Sequence, residues 1–142
     1  MRHEDRKATK QRDYWPPSAA AEEAAHAAIG AAIEVHRHLG AGYTEGTYER
    51  ALALELVERQ LSFERQVCST VIYKGFPVGD HRIDLIVANE VIVELKAVES
   101  LSSTHVAQVI SYLRVSDLRL GLLINFNVPT LQQGIRRVLW SP

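Results

Sequence analysis

From Ile83 to Leu95 the chain is almost wholly apolar and mostly β-branched, broken only by Asp84, by Ala88-Asn89-Glu90 and by Glu94. That composition reads as two buried strands joined by a tight turn at Ala88-Asn89-Glu90. Lys96 closes the run. Side chains alternate faces along a strand, so Glu94 and Lys96 share one face while Val91, Val93 and Leu95 take the other. A loop with an odd residue count, centred on Asn89, sets Asp84 opposite Glu94 and sends Leu85 and Val87 into the core. A two-residue loop would instead bury Asp84 among valines. The apolar pattern therefore favours a loop of three or five residues, with Asn89 tolerating a positive backbone angle.

Carboxylates and an amine are costly to bury, so a chain that gathers three of them in one hairpin has a use for them. Two facing carboxylates form a hard oxygen site suited to Mg²⁺, an ion that takes one or two carboxylates plus water and substrate phosphate. A lysine two residues beyond one ligand can orient or deprotonate a water there. It can also offset the charge that builds during phosphodiester hydrolysis. A structural ion pair between Lys96 and a neighbouring carboxylate fits the spacing equally well.

The D-x9-E-x-K pattern of Asp84, Glu94 and Lys96 resembles the core of the PD-(D/E)xK nuclease superfamily. Gly42-Tyr-Thr-Glu45-Gly-Thr-Tyr48 resembles the motif that names the small bacterial GxxExxY proteins of that superfamily. Val91-Ile-Val-Glu-Leu-Lys-Ala-Val98 and Gly121-Leu-Leu-Ile-Asn-Phe-Asn127 are similar to the same family, in the same order. The resemblance runs from about Ala25 to Trp140. It implies that Asp84 and Glu94 are metal ligands, with the Leu95 carbonyl a third, and that Lys96 is the catalytic lysine. It implies that Glu45, on the preceding helix, touches the metal or its water shell. Gln108-x-x-x-Tyr112 resembles a substrate-binding Gln-x-x-x-Tyr helix of an exonuclease branch. At i and i+4 these two side chains share one helix face.

A length of 142 residues fits one domain. Residues 1 to 17 are polar, end at Pro16-Pro17 and read as a disordered tail, leaving 18 to 142 as the domain. Ser18 caps a first helix that ends near Leu39 at Gly40-Ala-Gly42. A second helix runs from Glu45 to about Gln60, with Tyr48, Leu52, Leu56 and Leu61 as its apolar stripe. A strand over Gln66 to Tyr73, a turn at Lys74 to Pro77 and the Asp84 hairpin follow. Then come a helix over Thr104 to Ser116, a strand over Leu118 to Asn125, a short turn or helix at Pro129, and a strand over Ile135 to Trp140. The order α-α-β-β-β-α-β-β predicts an α/β fold: a mixed sheet flanked by helices, restriction-endonuclease-like. The strand after the third helix runs parallel to the Glu94 strand through a right-handed crossover.

No apolar run is long enough to span a membrane, and the single Cys68 permits no internal disulfide, so a cytoplasmic protein is expected. His26, His36 and His38 lack the spacing of a compact metal pair. His105 and the Arg136-Arg137 pair are candidates for phosphate contact, each with a solvated edge as its plain alternative. Net charge is −1, not the footprint of a strong nucleic-acid binder, although Arg50, Lys74, Arg82 and Arg114 can form a local patch. The resulting expectation is Mg²⁺- or Mn²⁺-dependent hydrolysis of DNA or RNA without sequence-specific reading. An inactive nuclease-fold binding protein, a subunit of a larger nucleic-acid-processing complex and a hydrolase of small phosphorylated metabolites are the alternatives. A homodimer or a partner protein stays open.

Overall fold

The computed structural model describes residues 15–142. The stretch 1–14, most of the expected tail, lies outside them. Ser18 accepts the Ala21 N–H at 3.1 Å and starts α1 (Ala19–Leu39). Ala21, Ala24, Ala25, Ala28, Ala31 and Ala32 are all buried, so small side chains let this long helix lie close to its neighbours. Gly40, at φ +69°, ends it. Tyr48 of α2 (Glu45–Glu58) then clamps the connection. Its hydroxyl donates to the Gly40 carbonyl at 2.5 Å and accepts from the Tyr43 N–H at 3.3 Å. Its ring stacks on Phe126 at 4.4 Å. The glycine and tyrosine of the Gly42–Tyr48 segment are thus joint-forming residues, with Gly42 at φ +113°.

Five strands form one mixed sheet in the order β1 (Phe63–Tyr73), β2 (Phe76–Val87), β3 (Val91–Lys96), β4 (Leu120–Asn125) and β5 (Ile135–Leu139). Only β3 and β4 are parallel, joined across the sheet by α3 (Ser103–Ser116). The β2–β3 loop holds three residues, since Val87 pairs with Val91. Asn89 takes a positive φ as expected, and so does Ala88. Glu90 donates its N–H to the Val87 carbonyl at 3.0 Å and closes the turn.

Two apolar clusters sandwich the sheet. Leu85, Val87, Val91, Val93, Leu95, Leu122 and Ile124 pack with α1 and α2. Ile83, Ile92 and Leu123 pack with Val109, Tyr112 and Leu113 of α3. Gly121 admits α3 to close range, because a Cβ there would meet Val109 Cγ1 at 2.6 Å. Ile83 and Leu85 share parity yet join opposite clusters. Side-chain alternation therefore breaks at Asp84, between the pairs Arg65–Leu85 and Val67–Ile83 that flank Gln66, itself at φ +50°.

Several boundaries differ from expectation. The first strand starts at Phe63 rather than Gln66, because Arg65-Gln66 interrupts the alternation without ending the ladder. The fourth starts at Leu120 because Leu118 still caps α3, donating to the Leu113 carbonyl at 3.0 Å. Trp15, assigned to the tail, is anchored: its N–H and C=O both bond the Ser141 hydroxyl at 3.3 Å, and Arg119 lies over the rings of Trp15 and Trp140.

The 3₁₀ turn Leu131–Gly134 presses on β4, where a Cβ at Gly134 would fall 2.1 Å from the Asn125 carbonyl oxygen. Gly134→Ala is expected to lower the unfolding free energy by about 1–3 kcal/mol in urea titration. Gly79→Ala, facing open space, is expected to stay within about 0.5 kcal/mol of wild type.

Candidate active site

The β2–β3 ladder runs from Val87–Val91 to Leu85–Val93. Beyond it, side chains take over. Asp84 donates its backbone N–H to Glu94 Oε1 at 3.1 Å, and Asp84 Oδ2 accepts the Leu95 N–H at 2.9 Å. Each acid is thus tied to the opposite strand, and the two carboxylates converge where the strands part. Leu95 contributes backbone here, while its side chain is buried on the α1–α2 side.

Lys96 and α3 complete the group. Lys96 Nζ stands 3.8 Å from Glu94 Oε2 and donates to Gln108 Oε1 at 3.4 Å. Gln108 and Tyr112 share the helix face that meets these strands. Burial pushes the Glu94 carboxyl up to about 8, and the Asp84 charge adds to it. Burial also raises Asp84, against the pull of its Leu95 hydrogen bond, with the Glu49 charge raising it further. The Tyr112 phenol is raised to about 12, first by burial and then by Glu94 and Asp84, so it remains a proton donor at neutral pH facing two acids. With both acids ionised the cluster would carry more negative charge than one amine balances.

Glu49 is the residue that sequence reasoning missed. It is 7% exposed, and its charge bears on Asp84. Arg65 donates to Glu49 Oε2 from Nη2 at 3.0 Å and from Nε at 3.2 Å, and Gln66 Nε2 donates to Oε1 at 2.6 Å. Glu45, one turn earlier, is exposed in the first turn of α2. The signal for Glu49 was present: a carboxylate among Tyr48, Leu52, Ala53 and Leu56, the buried stripe of α2.

The remaining candidates fall elsewhere. His105 caps α3, its Nδ1 accepting the Ser102 N–H at 3.0 Å. Arg137 pairs with Glu22 at 2.7 Å, while Arg136 is exposed. His36 bonds the Val128 carbonyl at 2.9 Å, His38 lies 3.8 Å from Glu34, and His26 is exposed. Cys68 is an exposed free thiol. Arg50, Lys74, Arg82 and Arg114 are all exposed.

Among the described residues no group of three or more His, Cys, Asp and Glu side chains forms a closed metal cage. Two convergent, desolvated carboxylates with a backbone segment beside them are a different donor set. It fits an ion that keeps most of its shell for water and phosphate, as Mg²⁺ does. A cation between Asp84 and Glu94 would relieve the repulsion that keeps both acids from ionising together.

A model of the PD-(D/E)XK nuclease superfamily matches residues 22–138, most of the chain. No curated protein and no solved structure matches it. The matched span holds Asp84, Glu94, Lys96 and Glu49, together with all three helices but for the first residues of α1.

The raised acids give a signed pH dependence. Between about 4.5 and about 8 the native protein keeps a proton on Glu94 that the unfolded chain has lost. That contribution is fully present below about 4.5 and disappears as pH climbs to about 8. In chelator, the melting temperature is expected to fall between pH 5 and pH 8, with a flatter profile for Glu94→Gln. A wild-type melting temperature that climbs over this interval as steeply as that of Glu94→Gln contradicts the assignment.

Proposed function

The chain belongs to the PD-(D/E)XK nuclease superfamily, and from that premise we propose that it is a Mg²⁺-dependent (or Mn²⁺-dependent) hydrolase of nucleic-acid phosphodiester bonds. The observation that carries this reading is the convergence of Asp84 and Glu94 beside Lys96 at the point where β2 and β3 separate. Asp84 and Glu94 would hold the ion, with the Leu95 backbone next to them. When bound, the ion would polarise the phosphate and lower the cost of ionising a water.

The chain's own groups supply the rest. Lys96, held by Gln108, points its ammonium at the edge of the acid pair, where it orients the attacking water and offsets charge on the phosphate. Tyr112 offers a phenolic proton to a phosphate oxygen. Glu49 adds negative charge behind Asp84 and is itself fixed by Arg65 and Gln66, so it strengthens cation binding without leaving its place. Glu45, at the exposed helix start, lies at the periphery and would act through water.

No described helix is long and apolar enough to cross a membrane, and we read the enzyme as cytoplasmic. One observation favours a second reading, a nuclease-fold protein that binds without cutting or serves as a subunit of a larger complex. Asp84 and Glu94 each already accept a backbone N–H and Lys96 already donates to Gln108, as in a structural cluster. Calorimetry with Mn²⁺ separates the two, since the structural reading gives no heat that depends on Asp84 and Glu94.

A panel of labelled DNA and RNA substrates, single- and double-stranded, tests the activity in Mg²⁺ and Mn²⁺. Wild type is expected to cut, and Lys96→Ala to be slower by about 10²–10³-fold. Equal cleavage by Lys96→Ala would sink the assigned chemistry.

A further inference from the structure

Past Asp84, β2 leaves β3 and continues with β1 as a two-stranded ribbon ending at Lys74 and Gly75. Residues 72–82 are exposed throughout. Two-stranded hairpins are marginal on their own, and this one spends its tip on apolar residues: Ile72, Tyr73, Phe76 and Val78 are 58%, 60%, 71% and 60% exposed. Tyr73 and Phe76 pair across the turn, and Lys74 lies over the Tyr73 ring at 5.4 Å.

The ribbon starts at the acid pair. Its root touches the site through His81, whose ring meets Tyr112 edge-on at 5.8 Å. From Ile83 outward, the edge of β2 that faced β3 pairs with no strand among the described residues. At ~3.3 Å per residue, Phe76 stands about 26 Å along the strand from Asp84. That is the length of about eight nucleotides at the ~3.4 Å spacing of a stacked strand.

Charge and chemistry select the occupant. Between Val67 and Ile83 the ribbon carries Lys74 and Arg82 against one acid, Asp80, which accepts from Thr70 at 3.1 Å, in a chain of net charge −1. Two cations and one acid are too few for a duplex clamp, which neutralises many phosphates. Two exposed rings beside one cation suit unpaired bases, which stack on aromatic faces whatever their sequence. We infer that the β1–β2 ribbon holds a single-stranded stretch of the substrate leading away from the scissile phosphate, with Tyr73 and Phe76 stacking bases about eight nucleotides from the cut. This rests on the nuclease reading above and adds to it the class of substrate, a nucleic acid with an unpaired flank.

The test is fluorescence anisotropy with Ca²⁺ in place of Mg²⁺, on duplexes bearing 3′ or 5′ single-stranded tails of different lengths. Affinity is expected to rise with tail length and level off near about eight nucleotides. The double variant Tyr73→Ala/Phe76→Ala is expected to lose that gain, by about 5- to 150-fold, the equivalent of ~1–3 kcal/mol for a stacked base. It should cut tail-less substrate at the wild-type rate. Wild-type-like binding of tailed substrates by the double variant overturns the proposal. So does a dimer that becomes a monomer in light scattering in step with the lost binding, which makes the tip a self-association surface. Wild type that neither binds nor cuts any nucleic acid overturns the nuclease reading as well.

Discussion

Desolvation of two facing carboxylates governs this structure. Asp84 and Glu94 sit where the β2–β3 ladder ends, and each accepts a backbone N–H from the other strand. Those bonds satisfy the chain at the point of divergence but do not neutralise it. Burial raises both acids, and among the described residues the one amine within reach of Glu94, that of Lys96, stands at 3.8 Å. A site with too much buried negative charge is poised either to keep a proton or to take up a cation. The same break frees β2 from β3, so the charged cluster and the projecting ribbon have one structural origin.

The surrounding elements fix that cluster in place. Tyr48 bonds the end of α1 and stacks on Phe126, fixing how α2 lies on the sheet. This places Glu49 behind Asp84, and Arg65 with Gln66 locks its carboxylate. On the opposite face Gly121 lets α3 approach closely enough for Gln108 to reach Lys96. Asn125 pins the segment after β3, accepting the Val98 N–H at 3.1 Å and donating to the Val98 carbonyl at 2.9 Å. The acids and the lysine are therefore mounted on strands whose neighbours leave them little freedom, as phosphoryl chemistry requires of its positioning groups.

Much of this was legible in the chain. Valines at 87, 91 and 93 fix the parity of the hairpin, and parity alone demanded an odd loop that sets Asp84 across from Glu94. Element order followed from helix caps at Ser18 and Gly40 and from the apolar run at 120–124. Glu49 was harder, because Glu45 and Glu49 are four residues apart and occupy one helix face. Spacing cannot choose between them; the depth of each turn against the sheet does. The reach of the ribbon was hidden by Arg65-Gln66, which breaks the alternation inside a continuing strand. Anchoring of Trp15 depends on Ser141 and Arg119, contacts too distant in sequence for local pattern to reveal.

In the proposed function Asp84 and Glu94 jointly hold a divalent cation. Anomalous diffraction from a crystal soaked in Mn²⁺ tests it without any assumption about substrate. The expected result is a peak between the two carboxylates that vanishes in Asp84→Asn. A fully occupied soak with no density there, and with both acids still bonded only to the Asp84 and Leu95 amides, would contradict it.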